Sequence, residues 1–360
     1  MKIERLRING LRCLSDVELV LGPTINLFIG DNGAGKTSVL EAAFLLSHAG
    51  SFRSGTKGTL LQRGATRLSV FGELSYQGDD HRSRLGLGYE ASRWEARVDG
   101  DGVAMGELVR QCAVVCFEPG SHALIAGSAD ERRRYLDWGV FHVEHDFLFH
   151  WRRYQRALKQ RNSLLRSSTP TTSATFDPWE IELAHAAQHV DIFRRSYLDL
   201  LRPALILAGD KLLPELGGLA LRYRRGWPEG EDLLQILQEQ RGRDQSRGHT
   251  TAGPHRADWS VFFEHAPLRE HLSRGQEKLT ALACTLAQAE LHAASCGEWP
   301  IVCLDDLSSE LDREHQSAVV AQLLRSDTQI LLTGTEMPDA LGGVPSTVFH
   351  VEQGKVSRLL

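Results

Sequence analysis

The sequence has no long uncharged apolar segment, which argues against a membrane-spanning helix, and no N-terminal signal pattern, so we expect a soluble, cytoplasmic protein with no membrane partner. Basic charge is not in excess either. With a formal net charge of -5, the chain does not bind nucleic acid by overall charge, and any such contact must use a local basic face. Its six cysteines are scattered: Cys112 and Cys116 lack metal-site spacing and read as structural, and Cys303 reads as a small apolar residue in a buried strand. The 15 histidines form no metal pattern, because His48, His122, His142, His145, His150, His185 and His189 lie among predicted helices and loops without a convergent Cys or Asp set. We therefore expect no zinc site and no catalytic histidine. What is present is a 360-residue chain, 42% hydrophobic and 24% charged, able to bury a substantial core and too long for one minimal domain.

Near the start, Leu27-Phe28-Ile29 is a short apolar strand running into Gly30-Asp31-Asn32-Gly33-Ala34-Gly35-Lys36-Thr37, and Ser38 to Leu46 reads as a helix. This is a phosphate-loop pattern. The glycines let the backbone turn sharply so that its amides point at phosphates. Lys36 would reach the β- and γ-phosphates, and Thr37 would offer its hydroxyl to Mg²⁺. The helix N-terminus at Ser38 adds partial positive charge beneath the anion. A chance match on a glycine-rich turn is the bland alternative, but the spacing between a buried strand and a helix points to ATP or GTP.

The remaining parts of such a site lie far away. Pro300 precedes Ile301-Val302-Cys303-Leu304, an apolar run suited to a strand buried on both faces, and the run ends in Asp305-Asp306. Asp305 would hold Mg²⁺, through its water shell, while Asp306 would orient or deprotonate an attacking water. The other reading of Asp306 is a helix cap, a task open also to Ser308 or Ser309. Leu272-Ser273-Arg274-Gly275-Gln276 opens a predicted helix and offers a hydroxyl and backbone amides at its positive end, a second phosphate receptor. Taken alone it could be an ordinary N-cap. Taken with the phosphate loop and Asp305-Asp306-x-x-Ser309-Glu310-Leu311-Asp312, it is specific, and the separation of the parts implies two lobes folding together around a large insertion.

Residues 1–120 alternate short strands with turn clusters around one helix, with strands clearest at Thr66 to Tyr76 and His81 to Tyr89. Residues 121–208 read as helical: Asp130 could cap a first segment, Glu144 to Leu165 and Trp179 to Leu207 form longer ones, and Ser167 to Pro178 breaks them apart. From 209 to 360, strands and helices resume and close with strands at Thr328 to Thr333 and Ser346 to Val351. The helical part carries a basic run, including Arg132, Arg133, Arg134, Arg152, Arg153, Arg156, Lys159, Arg161 and Arg166. Such a run is either a solvated helix face or a set of contacts to duplex phosphates. Lys57, Arg63 and the stretch from Arg241 to Arg256 are further basic candidates.

The set of phosphate loop, Ser-x-Gly-Gln motif, acidic strand end and Ser-x-Leu-Asp loop resembles the ABC-type ATPase head in its SMC-like branch. Within it, the chain resembles the RecF family along nearly its whole length. The residues that carry this are Leu6-Arg7-Ile8-Asn9-Gly10-Leu11-Arg12, Ser51-Phe52-Arg53, Phe117-Glu118-Pro119, Arg132-Arg133-Arg134-Tyr135-Leu136-Asp137, Tyr154 through Asn162, and Gly253-Pro254-His255-Arg256. The resemblance implies an α/β fold: an ABC-type head with a mixed sheet, plus a compact, mostly helical lever domain inserted between the motifs, too short for a long coiled coil. It implies that Ser273 and Gly275, with Gln276, contact the γ-phosphate of a second copy in trans, that Arg12 and Arg53 lie near the nucleotide, and that Ser309 to Asp312 crosses the interface. Leu331-Leu332-Thr333-Gly334-Thr335 stands where many ABC transporters carry a switch histidine, which fits slow turnover. The function implied is an ATP-dependent homodimeric clamp on double-stranded and gapped DNA in repair and replication. It would act with RecR and RecO to bring RecA onto single strands, with weak DNA-stimulated ATPase activity as a timer. A transporter ATPase subunit, an SMC-like tether and an ATP-linked nuclease are the rival readings.

Overall fold

The computed structural model describes residues 1–53, 57–167 and 172–359. The side chain of Lys57 and residues 168–171 of the expected helix break lie outside the described set. The chain forms two compact units, one of Met1–His122 with Arg274–Leu360, the other of Ala123–Ser273. In chain order the first contributes β1 (Lys2–Leu11), β2 (Leu14–Val20), β3 (Ile25–Ile29), α1 (Lys36–His48), β4 (Arg67–Tyr76), β5 (Asp79–Glu90), β6 (Arg93–Val98), β7 (Asp101–Val103), α2 (Met105–Gln111) and β8 (Val114–Phe117). The second contributes α3 (Ala123–Ala126), α4 (Ala129–Val143), α5 (Phe147–Leu165), α6 (Ser173–Leu212), β9 (Leu219–Arg224), α7 (Leu233–Glu239), α8 (Arg241–Arg247) and β10 (Asp258–Phe263). The first unit is completed by α9 (Arg274–Cys296), β11 (Ile301–Leu304), α10 (Leu307–Glu310), α11 (Arg313–Leu324), β12 (Ile330–Gly334), β13 (Ser346–Glu352) and β14 (Lys355–Arg358).

Two sheets build the first unit. In the order β14-β13-β3-β12-β11-β8, every pairing from β13 to β8 is parallel and only β14 is antiparallel. The central strands have no solvent face: all four residues of β11 and all five of β12 are buried, as their continuous apolar runs require. The second sheet, β2-β1-β4-β5-β6-β7, is antiparallel throughout. Its strands alternate, so that Leu68, Val70 and Leu74 point inward while Arg67 and Ser69 face water. Helix α1 packs on that inner face, and a Cβ on Gly72 would lie 2.8 Å from Leu46 Cδ1, so a side chain there would make Leu46 shift.

At the end of α1, His48 is half-buried and stacks on Phe44 with ring centroids 3.6 Å apart; desolvation of the ring pushes its pKa down to about 3. The folded state therefore refuses a proton that the unfolded chain accepts near pH 6.5, and stability falls as pH drops from about 6.5 toward 3, by at most about 1.4 kcal/mol per pH unit from this group. We expect His48→Leu to flatten the decline of Tm between pH 7 and 5. Equal slopes in the two proteins would show that the group titrates normally.

The second unit corrects several expectations. It extends to Ser273, not to 208, because β9 and β10 pair with each other and dock on its helices: Trp259 Nε1 donates to Arg132 O at 2.7 Å, and Arg194 donates to Pro254 O at 2.7 Å. Helix α6 is longer than expected, 40 residues and hence about 60 Å. It contains both Pro178 and Pro203, which are tolerated because each ring is exposed and the carbonyl four residues earlier belongs to exposed Ala174 or Asp199, open to water. At the start of α4 the cap position is Ser128, and Asp130 lies within the first turn, where its charge favours the helix dipole.

Candidate nucleotide site

The loop between β3 and α1 closes tightly on its neighbours. A Cβ on Gly30 would lie 2.1 Å from Val351 O, and Gly35, at φ +119, adopts a backbone conformation that an L side chain would strain. Lys36 is buried, and its Nζ donates to Gly30 O at 2.7 Å and Asp31 O at 3.0 Å, so the ammonium is held inside the loop by main-chain oxygens. The expected residues Gly30, Asp31, Asn32, Gly33, Ala34 and Gly35 thus form the turn leading into α1, and Lys36, Thr37 and Ser38 are the first residues of that helix.

Parallel pairing brings the distant carboxylates to this loop. β12 separates β3 from β11, and the C-terminal ends of all three lie together. There the Thr37 hydroxyl lies 3.0 Å from both Asp305 oxygens, 268 residues away in sequence. Thr333 at the end of β12 donates to Asp305 Oδ1 at 2.7 Å and accepts from the Asp306 amide at 2.8 Å. Burial raises the Asp305 pKa from its ordinary value, while the Thr333 and Thr37 hydroxyls and the Arg53 charge oppose the shift. Asp306 is half-buried with a left-handed backbone (φ 52°), and its side chain makes no cap bond to α10. The capping alternative is therefore not realised.

Three contributors were not identified as site residues from the sequence. Thr333 lies in the segment searched for a histidine, and it supplies a hydroxyl that fixes both aspartates. Glu41, one helical turn beyond Thr37 on α1, is fully buried and gathers Arg12, whose Nε and Nη2 donate to it at 3.0 and 2.8 Å, together with Ser51 and the more distant Arg53 at 3.9 Å. Arg12 and Arg53 are thus brought beside the loop helix through an ion pair. Glu118, just after β8, follows the residue whose carbonyl accepts from the Asp305 amide at 2.8 Å; burial raises its pKa, and Asp305 adds to the effect. Two signals pointed to it, a carboxylate following a short apolar strand and its place in the Phe117-Glu118-Pro119 segment that carries the family resemblance, but neither assigned it a role.

Ser273 and Gly275 are exposed at the start of α9, with Gln276 half-buried just inside it. Beyond α10, Asp312 caps α11 by accepting from the His315 amide at 2.9 Å. Thr37 and Asp305 offer only hard oxygen ligands, which suit Mg²⁺. Among the described residues no group of three or more His, Cys, Asp or Glu could hold a metal, so a cation here needs phosphate oxygens and water, the usual situation for Mg²⁺.

Three of the expected DNA contacts are corrected, and a fourth, Arg153, is already in an ion pair at the surface. Arg161 is completely buried on α5, donating to Glu180, Asp244, Thr250 and Leu237 O at 2.6 to 3.0 Å. Arg132 is buried against Asp258 at 2.7 Å, Arg133 donates to Ala257 O at 2.6 Å and pairs with Asp130, and Arg153 is held by Glu182 at 2.6 Å. Arg152, Arg156 and Lys159 remain exposed, spaced to lie on one face of α5. Among the described residues, no helix is long and apolar enough to cross a membrane.

The family model described as the RecF/RecN/SMC N terminal domain matches residues 2–340. A Stenotrophomonas maltophilia protein named "DNA replication and repair protein RecF" is 48% identical over 99% of both chains. One of the same name from Xanthomonas euvesicatoria is 47% identical, again over 99% of each. Among solved structures, "Structure of the recombination mediator protein RecF-ATP in RecFOR pathway" aligns with a TM-score of 0.91 at 24% identity, covering 99% of this chain and 97% of that one. An Smc head domain from Pyrococcus furiosus aligns with a TM-score of 0.56 at 15% identity, covering 99% and 96%. These two likenesses are of fold, and the α/β head expected from the sequence is that fold.

Proposed function

Since the chain belongs to the RecF family, we propose that it is an ATP-binding DNA replication and repair protein in which ATP switches two copies between open and closed pairs. The observation that carries this is the meeting of Lys36, Thr37 and Asp305 at the ends of β3 and β11, since no purely structural role calls for a buried ammonium, a hydroxyl and a carboxylate at one strand edge. The solved relative described with ATP supports the nucleotide assignment. Lys36 and the loop amides would hold the phosphates, and Thr37 and Asp305 would hold Mg²⁺, which supplies charge neutralisation when bound. Thr333 keeps Asp305 in place. Asp306, not consumed as a cap, would orient the attacking water, and Ser273 and Gly275 would reach the γ-phosphate of a second copy.

On this reading the homodimer forms with ATP and opens on slow hydrolysis, a weak ATPase stimulated by DNA and acting as a timer. Closure would bring the exposed Arg152, Arg156 and Lys159 of two copies onto duplex DNA near gaps, and the work would be shared with RecR and RecO in loading RecA. A shift from mostly open to mostly closed needs only about 5 kcal/mol of differential nucleotide binding. The test is molecular mass by light scattering for wild type and Ser273→Arg without nucleotide, with ADP and with ATP, each with and without duplex DNA. We expect a dimer only for wild type with ATP, strengthened by DNA; a mass indifferent to ATP would remove the gated clamp.

A further inference from the structure

We infer that a basic pocket in the second unit, at the end of α8, binds a backbone phosphate of duplex DNA. It has a volume of about 410 Å³ and is lined by Arg243, Arg247, Arg256 and His249 over Trp227, with no carboxylate among its lining residues. The three arginines are exposed, and among the described residues the one hydrogen bond of these guanidinium groups, from Arg256 to Thr250 O, is long at 3.4 Å. Elsewhere in the unit Arg132, Arg153, Arg161, Arg194, Arg195 and Arg241 sit in ion pairs. The acids nearest in sequence are already engaged: Asp244 accepts from Arg161 and Thr251, Asp258 from Arg132 and Arg224, and Glu239 from Gln235, while Glu229, beside Trp227, accepts from Arg195. Three uncompensated guanidinium groups around one concavity repel one another, and a phosphate oxyanion, which guanidinium groups bind in bidentate fashion, relieves that repulsion.

The pocket is joined to the exposed basic face of α5. Arg152, Arg156, Lys159 and Arg166 recur at helical spacing on one side of that helix, and Arg166 Nη1 donates to Gly248 O at 3.3 Å, beside Arg247 and His249. From residue 152 to residue 166 the helix rises about 21 Å, on the order of six base-pair steps at 3.4 Å. The stripe would follow the DNA backbone and the pocket would anchor one end of it. This inference rests on the DNA-binding reading given above.

The test is fluorescence anisotropy with a 5′-hydroxyl duplex, in ATP and Mg²⁺, across a salt series, for wild type, Arg243→Gln/Arg247→Gln and Arg152→Gln/Arg156→Gln. We expect the pocket variant to bind about 10-fold or more weakly at low salt, with a log-log salt slope shallower by about one, because the one lost phosphate contact removes about 0.9. If the pocket variant matches wild type while the α5 variant is weakened, the pocket assignment is overturned and DNA binding stands. If wild type binds no DNA, both readings fall. A defect in the pocket variant that appears only with 5′-phosphorylated ends would make the pocket an end-binding site and overturn the backbone assignment.

Discussion

Replacing Lys36 with Ala is expected to weaken ATP binding by at least about 100-fold. The side chain donates to Gly30 O and Asp31 O, so the ammonium already stands in the concavity of the loop, and binding exchanges or adds phosphate oxygens around it. A hydrogen bond to a charged group contributes about 1.5–3 kcal/mol, and two of them lost correspond to about a hundredfold or more. Isothermal titration with ATP and Mg²⁺ measures this directly, and circular dichroism checks that the variant folds. A folded variant with unchanged affinity would show that the nucleotide does not sit on this loop.

The second large effect concerns Arg161. Arg161→Met removes the partner of two buried carboxylates, Glu180 and Asp244, which are 0% and 1% exposed. Glu180 retains Arg241, but Asp244 is left with only hydroxyl donors, such as Thr251. Breaking a buried pair from one side costs about 3–5 kcal/mol, because the remaining charge is stranded out of water. We expect a lower urea midpoint for Arg161→Met, with unfolding of the second unit before the first. If stability is untouched and DNA binding is lost instead, the side chain must reach solvent and its original assignment as a DNA contact returns.

That residue also marks where the sequence was legible and where it was not. The phosphate loop could be read because its function constrains the backbone locally, and Asp305 because a fully buried strand announces itself as an apolar run. Arg161 was misread although a signal existed: Tyr154, Ala157, Leu158 and Leu165 share its face of α5, so an arginine at that position points into the core. Its partners could not be found the same way, since they lie 19 and 83 residues away and only tertiary packing brings them close. Thr333 was hidden for the same reason. A threonine at a strand end has no distinctive pattern until the neighbouring strand supplies a carboxylate for it to hold. The end of the helical insertion was misplaced because β9 and β10 pair with one another, which a reading based on the alternation of helices and strands cannot tell from a return to the main sheet.

The position of β3 also bears on how the molecule is made. It lies between β12 and β13, so both of its hydrogen-bonding edges wait for residues that are synthesised some 300 positions later. At about 5–20 residues per second, that delay on the ribosome is on the order of 15–60 seconds. During this time the apolar strand has no native partner on either hydrogen-bonding edge, and the glycine turn after it lacks the contact with Val351 O that Gly30 makes in the folded chain. A nascent chain stalled before β12 would carry the whole loop sequence and yet could not form the loop. A ribosome-bound chaperone should therefore dwell on this segment, and a protease should cut there until translation has passed β13.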